Sequence, residues 1–163
     1  MRIAIALLSS IILAGCSASK EKFNSEALKV IHSPNPSNIH VSHLIKKSPY
    51  PYMWYYSTEI VNKSDRDLKI IWFESYSKID EHWYSSNALK QTLRNKIFLK
   101  WYREKDSQDS PEWLKPNASY ICDTNWHGSD TKKPPKVKWA YIAIDKYGND
   151  YFAASVIESI PIK

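Results

Sequence analysis

The sequence has 163 residues, of which 43% are hydrophobic, and this is enough to build one globular domain with a substantial core. It contains three glycines, so the glycine-rich loops that cradle phosphate in Walker and dinucleotide-binding sites are excluded. The formal net charge of +6 is a mild excess, with its densest basic stretch at Lys132, Lys133 and Lys136. This excess suits solubility, anionic headgroups or an acidic partner, and we expect no binding to nucleic acid.

The first sixteen residues are organised as a short export signal. Arg2 supplies a positive charge, and residues 3–13 form an apolar run about half as long as a membrane-spanning helix requires. The run ends in Leu13-Ala14-Gly15-Cys16, which resembles the lipobox of bacterial lipoprotein precursors. The resemblance implies that residues 1–15 are a signal peptide and that Cys16 is lipidated. An ordinary secretory signal, or a buried helix that contains a cysteine, is the alternative.

Lipidation of Cys16 would hold the protein on a membrane. The resemblance implies several acyl chains, and two or more such chains anchor a protein stably. Ser17 follows the cysteine where an aspartate would mark retention at the inner membrane, so the resemblance favours the outer membrane, facing the periplasm. Residues 16–27 are predicted to be a polar tether, which spans at most about 35–40 Å when extended. No cofactor is expected other than the covalent lipid.

From residue 28 onward, short runs of β-branched and aromatic residues alternate with turn-forming residues. These runs predict strands at 28–32, 39–45, 52–61, 68–76, 119–126, 137–145 and 151–157. The polar stretches between them predict two hairpins, one joining 52–61 to 68–76 and the other joining 137–145 to 151–157. The pattern therefore predicts an all-β domain over 28–163: a single antiparallel β-sandwich, with strand number and aromatic content suggesting an Ig-like variety.

One short helix is predicted in the middle of the domain, over residues 85–96. Its signature is a capping serine followed by an apolar residue at every fourth position: Ser86, Leu89, Leu93 and Ile97. The following residues, 97–103, are rich in apolar and aromatic side chains, and we expect them to continue as a strand.

Cys122 is the second cysteine of the chain. Once Cys16 is acylated, Cys122 has no partner, so an internal disulfide is excluded and the domain depends on core packing for its stability. Because apolar and aromatic residues surround Cys122 in the sequence, we expect a buried, inert thiol. A catalytic thiol would need partial exposure and a nearby base.

Catalytic and metal-binding patterns are weak throughout. His40 and His43 would lie on opposite faces of a strand, which prevents them from sharing a metal ion. The triplet Asp80-Glu81-His82 is typical of a solvated turn, although a histidine beside carboxylates is one way to form a general base. Since no hydrolase or metalloprotease motif occurs either, we expect a protein that is not an enzyme and has no metal site.

Polar residues are concentrated at 123–130, at the end of a predicted strand. Trp126, His127 and Asp130 are the candidate binding residues here, in a segment that leads into a predicted polar loop over 127–136. A serine–histidine–aspartate triad is disfavoured, because its members must converge from separate segments of the chain. The segment is therefore predicted to be either a binding loop or a hydrogen-bonded turn.

Aromatic residues are abundant, with seven tryptophans and eleven tyrosines. Trp113 lies between Pro111 and Pro116 in a polar stretch and is the best candidate for an exposed anchor, unless it folds back onto the sheet. We therefore expect a non-catalytic binding role, first as a protein-docking subunit of an assembly in the cell envelope. The alternatives are an immunity or inhibitor lipoprotein, directed against a toxin or hydrolase, and a peptidoglycan or glycan binder.

Overall fold

The computed structural model describes residues 26–41, 50–86, 91–107 and 109–161. The predicted signal peptide, the lipobox with Cys16 and the tether up to residue 25 lie outside these ranges. So do His43, at the end of the second predicted strand, and residues 87–90 of the predicted helix. Across the described ranges, no helix has the length and apolar character needed to cross a membrane.

Two antiparallel sheets and one short helix make up the described chain. In chain order the elements are β1 (Leu28–Val41), β2 (Tyr52–Asn62), β3 (Lys69–Ile79), β4 (His82–Ser85), β5 (Leu93–Arg94), α1 (Asn95–Trp101), β6 (Arg103–Glu104), β7 (Ser119–Ser129), β8 (Lys136–Ile144) and β9 (Asp150–Ile157). One sheet has the order β1-β2-β7-β6, and the other has the order β4-β3-β8-β9 with β5 also paired to β3. This is the strand order of an Ig-type sandwich, so the predicted fold class is confirmed.

The core forms where alternate residues of both sheets point inward. On β8 the inward side chains Val137, Trp139, Tyr141 and Ala143 are all buried, as the two-residue period of a strand requires. Two of these rings stack against the buried Phe73 of the neighbouring strand β3. Their polar atoms are also satisfied: the Trp139 Nε1–H donates to the Tyr56 hydroxyl at 2.8 Å, across the gap between the sheets.

The hairpin predicted between residues 52–61 and 68–76 is wrong, because β2 and β3 belong to different sheets. β2 is paired on both sides, by β1 and by β7, and this leaves no edge for β3. The Asn62 side chain holds the crossing in place. Its Nδ2 donates to the carbonyl oxygens of Arg66 at 2.7 Å and Leu114 at 3.0 Å. The polar stretch therefore carries the chain from one sheet to the other.

The second predicted hairpin is confirmed, since β8 pairs with β9 from Val137 to Ile144. Gly148 adopts a φ of 84° in the turn, a conformation that glycine reaches without strain. The buried carboxylate of Asp145 organises the same turn by accepting from the backbone N–H groups of Tyr147 at 2.8 Å and Asn149 at 3.0 Å.

The break predicted at residues 33–38 is a large bulge inside one strand, not a turn between two. Ser33 pairs with Ser57 and Asn38 pairs with Tyr55, so four residues of β1 stand opposite one residue of β2. The prolines in this stretch lack an N–H to donate and fit a bulge better than a regular ladder. Ser37 instead joins the other sheet, because its N–H donates to the Glu158 carbonyl at 2.8 Å.

The helix lies further along the chain than predicted. Residues 91–94 are not helical, and α1 occupies much of the stretch expected to be a strand, 97–103. The helix lets Phe98 and Tyr102, four residues apart, stack with their ring centroids 4.3 Å apart. Tertiary contacts hold both rings in the core, since Phe98 packs edge-on against Phe73 and the Tyr102 hydroxyl lies 2.7 Å from that of Tyr141. The Asn95 Nδ2 fixes the start of the helix by donating to the Ile70 carbonyl at 2.8 Å. A regular strand would separate the two rings by about 13 Å.

Candidate functional site

A cleft opens at the sandwich edge beside the start of strand β6 at Arg103. In the part of the chain that the structure describes, β7 pairs with β6 at Tyr120 and Ile121 alone. A β-bulge follows at once, since the two residues Asp123 and Thr124 stand opposite the single residue Ser57 of β2. Helix α1 precedes β6 in the chain and packs on the other sheet, against β3 and β5, with the Phe98 ring 5.0 Å from that of Tyr120 on β7.

The cleft has a volume of about 440 Å³, within the range of pockets that bind small molecules or side chains. One wall comes from β7, the opposite wall from β3, β5 and β8, and the rim from α1 and the residue after β4. The lining residues are Ser75, Ser86, Leu93, Lys100, Trp101, Cys122, Thr124, Asn125, Trp126 and Trp139. It is therefore an aromatic cleft with a set of neutral polar groups and one lysine.

The three tryptophans of the cleft differ in exposure. Trp139 is buried and belongs to the core, whereas Trp101 and Trp126 are half-buried. Trp101 packs edge-on against Phe73, with the ring centroids 5.5 Å apart. Trp126 lies 6.4 Å from the ring of Tyr50, measured between centroids. Two large, partly exposed rings held by neighbouring aromatics are typical of an anchor point for a ligand or partner.

Asn125 forms the polar floor of the cleft and is buried. Its Nδ2 donates to the Thr58 Oγ1 at 3.0 Å, and its Oδ1 accepts from the backbone N–H of Trp126 at 2.9 Å. The Thr58 hydroxyl lies 3.1 Å from Nδ1 of His32, and Nε2 of His32 lies 3.4 Å from the Ser155 carbonyl. This chain of hydrogen bonds connects the floor of the cleft to β9 and holds it rigid.

Cys122 lines the cleft as a free, buried thiol, as the sequence predicted. Burial raises the pKa of this thiol above its usual value of 9.0, although a hydrogen bond with the backbone of Thr124 acts in the opposite direction. At neutral pH the sulfur is therefore protonated, which makes it a weak nucleophile. Its role here is to fill space beside the tryptophans.

Basic residues lie at and near the rim of the cleft: Lys100 lines it, and Lys96, four residues earlier, lies on the same face of α1. No aspartate or glutamate occurs between Glu81 and Glu104, and within that stretch Arg94, Lys96 and Lys100 are exposed. None of these three has a carboxylate partner within salt-bridge distance in the described ranges. The next cation is different, since Arg103 pairs with Asp123 at 2.8 Å.

The four candidate binding residues do not come together. Trp126 lines the cleft, whereas Asp130 is exposed in the turn after β7. Trp113 is half-buried, with the ammonium groups of Lys69 and Lys146 each 5.7 Å from its ring centroid, and it is not part of the cleft lining. A binding role for each of these residues stays a prediction.

His127 lies in a strand, not in the polar loop predicted over 127–136, because β2 extends far enough to pair with β7 up to Ser129. Its ring is buried and stacks on Trp54, with the centroids 5.4 Å apart. Nε2 of His127 lies 3.0 Å from the Ser159 hydroxyl, whereas Nδ1 is buried without a hydrogen-bond partner in the described structure. This side chain ties β7 to the segment that follows β9.

Burial lowers the pKa of His127 from 6.5 to about 4, and the nearby His32 lowers it further toward that value. Burial also lowers the pKa of His32 to about 4, although its hydrogen bond to Ser155 opposes this change. Both rings are therefore neutral at physiological pH. The two buried rings lie near each other behind the cleft floor, and the sequence did not predict this proximity.

A second, more open concavity lies at the other end of the sandwich, with Glu26, Lys63 and Arg66 among its lining residues. Beside it, the Arg66 guanidinium pairs with the buried Asp145 carboxylate at 2.7 Å. Burial opposes ionisation of Asp145, but hydrogen bonds from Asn149 and Arg66 outweigh it and hold the pKa well below its usual range. These charges are satisfied within the fold, and this is typical of a structural network.

Trp101, Trp139 and Lys100 were not identified from the sequence as site residues. The absence of acidic residues between Glu81 and Glu104 was a visible signal for the basic rim. The cleft itself has no local signal, because it exists where a strand is missing from a sheet edge. No group of three or more histidine, cysteine, aspartate or glutamate side chains able to hold a metal ion occurs in the described ranges.

No family model and no curated protein matches the chain. A structural-genomics target solved by X-ray crystallography is 14% identical, with 82% of this chain and 83% of that chain covered and a TM-score of 0.47. The crystal structure of a Bordetella pertussis protein, provisionally described as ApaA, is 12% identical. It covers 81% of this chain and 93% of that chain, with a TM-score of 0.48. At these scores neither likeness carries an inference about function.

Proposed function

We propose that the chain is a lipoprotein whose mature domain docks a protein partner in the cell envelope. The lipobox at residues 13–16 supports an anchor on Cys16 at the outer membrane, with the domain facing the periplasm. The observation that carries the docking role is the cleft at the sandwich edge, where Trp101 and Trp126 are partly exposed beside a stretch of β7 that the described residues leave without a second partner strand. Aromatic residues of this kind dominate the energetics of protein interfaces.

A binding role without catalysis is supported by the chemistry of the cleft. Its described lining includes no histidine and no carboxylate that would serve as an acid or base, and the Cys122 thiol is protonated. Lys100 is exposed at the rim and is available to pair with an anionic group.

Protein docking fits this cleft better than glycan binding does. A sugar-binding platform needs the flat face of an exposed aromatic ring, whereas Trp139 is buried and the other two rings are half-buried at the mouth of a gap between sheets. An immunity or inhibitor protein would use the same surface for a toxin or hydrolase, and the identity of the captured partner distinguishes these cases.

The test is affinity purification of the lipidated chain from its own host, followed by direct binding measurements with the captured protein. We expect Trp101→Ala and Trp126→Ala to reduce capture of that partner at least tenfold, the loss expected when an interface anchor worth about 1.4 kcal/mol or more is truncated. Trp83→Ala is the matched control, because Trp83 is also half-buried but lies on β4, outside the cleft lining. Equal capture by all variants, with folding intact, would contradict docking at this cleft, and saccharide binding by Trp126 fluorescence would favour the glycan alternative.

A further inference from the structure

We infer that the docked partner presents an extended acidic peptide, which pairs as an added strand with the edge of β7 that the described chain leaves unpaired and places an apolar side chain in the cleft. This inference rests on the proposed docking role and specifies the chemistry of the partner. Three independent features of the edge support it: its unpaired backbone, its regular geometry beyond the bulge and its basic rim.

The backbone of β7 beyond Ile121 offers hydrogen-bonding groups on one side. The strand is paired with β2 up to Ser129, but on the other side the described chain supplies no strand beyond Ile121. Every residue of a strand has one N–H and one carbonyl, and in a sheet alternate residues direct these groups to opposite neighbours. An edge of this kind is a template for strand addition, the mode by which several peptide-binding domains capture extended segments.

The bulge at Asp123 and Thr124 determines which part of the edge can accept a strand. A bulge bends its strand and interrupts pairing, and this explains why β7 pairs with β6 no further than Ile121. After the bulge, residues 125–129 pair with residues 52–56 of β2 in one continuous register. The regular segment at 125–129 is therefore the accepting edge, and a peptide there would lie beside Trp126.

The cleft lies beside the start of this accepting edge, since Asn125 and Trp126 belong to both. Alternate side chains of an added strand point toward the inner faces of the sheets, where the cleft offers about 440 Å³, the volume of about fifteen water molecules in the liquid. Its walls include Leu93, Trp101 and Trp139, so the side chain that enters is expected to be apolar or aromatic.

The positive charge near the cleft rim indicates which residues the peptide carries at the positions that point away from the cleft. Arg94, Lys96 and Lys100 project from the β5–α1 segment without a carboxylate partner in the described ranges, and no acidic residue lies between them in the sequence. Aspartate or glutamate at alternate positions of the added strand would complement these cations, whereas lysine or arginine would be repelled. A peptide with acidic residues around one apolar residue fits all three features.

The experiment selects ligands for the folded chain from a displayed random library of peptides about eight residues long, the length of a typical strand with short flanks. We expect the selected peptides to be enriched in aspartate and glutamate around an apolar or aromatic residue. Amide hydrogen exchange should then slow at residues 125–129 when the best peptide binds. Selection of no peptide, or of peptides without acidic residues, would overturn the inference.

Two further comparisons separate strand addition from simple charge attraction. The double variant Lys96→Glu and Lys100→Glu should weaken binding of the best peptide at least tenfold, whereas Lys29→Glu, on β1 at the other edge of the same sheet, should not. Two versions of the best peptide, N-methylated on its odd-numbered or on its even-numbered amides, should differ in affinity. Only one set of methyl groups replaces the N–H donors that face β7, so only that version should lose binding.

Equal binding by both N-methylated peptides, or no effect of the charge reversals, refutes the acidic added strand. These results would leave the proposed docking function intact if capture of the native partner still depended on Trp101 and Trp126. Conversely, native capture that does not depend on these tryptophans refutes docking at the cleft, whatever the peptides do. The two proposals therefore fail in distinguishable ways.

Discussion

The two buried histidines, His32 and His127, make the stability of the sandwich depend on pH in a range where carboxylates contribute little. Each has its pKa lowered from 6.5 to about 4, mainly by burial. Above pH 6.5 both rings are neutral in the folded and the unfolded chain, and their contribution to stability is complete. As the pH falls below 6.5, the unfolded chain takes up protons that the folded chain does not bind until about pH 4, so the free energy of unfolding decreases.

The size of the decrease follows from the two pKa values. One pH unit of difference corresponds to about 1.4 kcal/mol, so between pH 7 and pH 5 each histidine costs the folded state about 2 kcal/mol. Both together cost about 4 kcal/mol, a large part of the 5–15 kcal/mol that typically stabilises a domain. Paired carboxylates such as Glu59 and Asp67 add to the loss mainly below their ordinary pKa values of 4.5 and 3.8. The interval from pH 7 to pH 5 therefore isolates the histidines.

The assay is urea unfolding of the mature domain, followed by tryptophan fluorescence at several pH values between 7 and 5. His127→Phe is the informative variant, because phenylalanine retains a flat ring against Trp54 and removes Nδ1, which has no partner in the described structure. We expect this variant to lose about half of the pH dependence, although the loss of the bond to Ser159 lowers its stability at all pH values. His82→Gln, at an exposed position of β4, controls for the loss of a histidine.

A free energy of unfolding that is constant from pH 7 to pH 5 would refute the assignment of these rings as buried neutral groups. So would a slope in His127→Phe equal to that of the unsubstituted protein. A shallower slope in His82→Gln than in His127→Phe would show that exposed groups dominate, contrary to the burial on which the argument rests.

Three further predictions concern the anchor and the packing. Cys16→Ser should abolish labelling by palmitate and release the chain from the membrane fraction; unchanged labelling would refute the lipobox assignment. Gly128→Ala should lower stability by about 1–3 kcal/mol, because a Cβ there would overlap the ring of Tyr50, and thermal unfolding should show recovery when Tyr50→Ala is added. Asn62→Ala should cost about 2–3 kcal/mol in urea unfolding, because the carbonyls of Arg66 and Leu114 lose their donor, and a loss under 0.5 kcal/mol would contradict this role.

Local patterns predicted the fold class because strand alternation and turn residues are recorded within a few residues of sequence. The hairpin of β8 and β9 is an example, since the turn from Asp145 to Asn149 contains all of its own determinants. The pairing of β2 is not local: whether it joins β3 or β7 is decided by competition among strands more than fifty residues apart. The sequence of the turn at 62–67 fits a hairpin and a crossing between sheets equally well.

The helix and the cleft were also not predictable from local sequence patterns, and both affect the proposed function. Residues 95–101 contain enough apolar and aromatic side chains for a strand, and the helix is favoured by contacts of Phe98 and Tyr102 with each other and with residues of distant strands. The cleft follows from that choice, because a strand at this position would have extended β6 and closed the edge. Trp126 was identified from the sequence as a candidate, but Trp101 became visible as its neighbour only in the folded chain.

The position of the accepting edge limits where a partner can be. The described chain begins at the end of the sandwich where Ala27 accepts from the N–H of Lys63, and Ser119 of β7 lies at the same end, opposite Val61. The accepting edge at residues 125–129 begins about 20 Å further along β7, at 3.3 Å per residue. With Cys16 as the proposed anchor and a tether of at most about 35–40 Å, the start of the accepting edge lies within about 60 Å of the bilayer surface. The partner is therefore expected to be anchored in the same membrane or bound close to it. Lengthening the tether should leave peptide affinity in solution unchanged while altering capture of the membrane-bound partner, and a loss of solution affinity would contradict this separation of anchor and site.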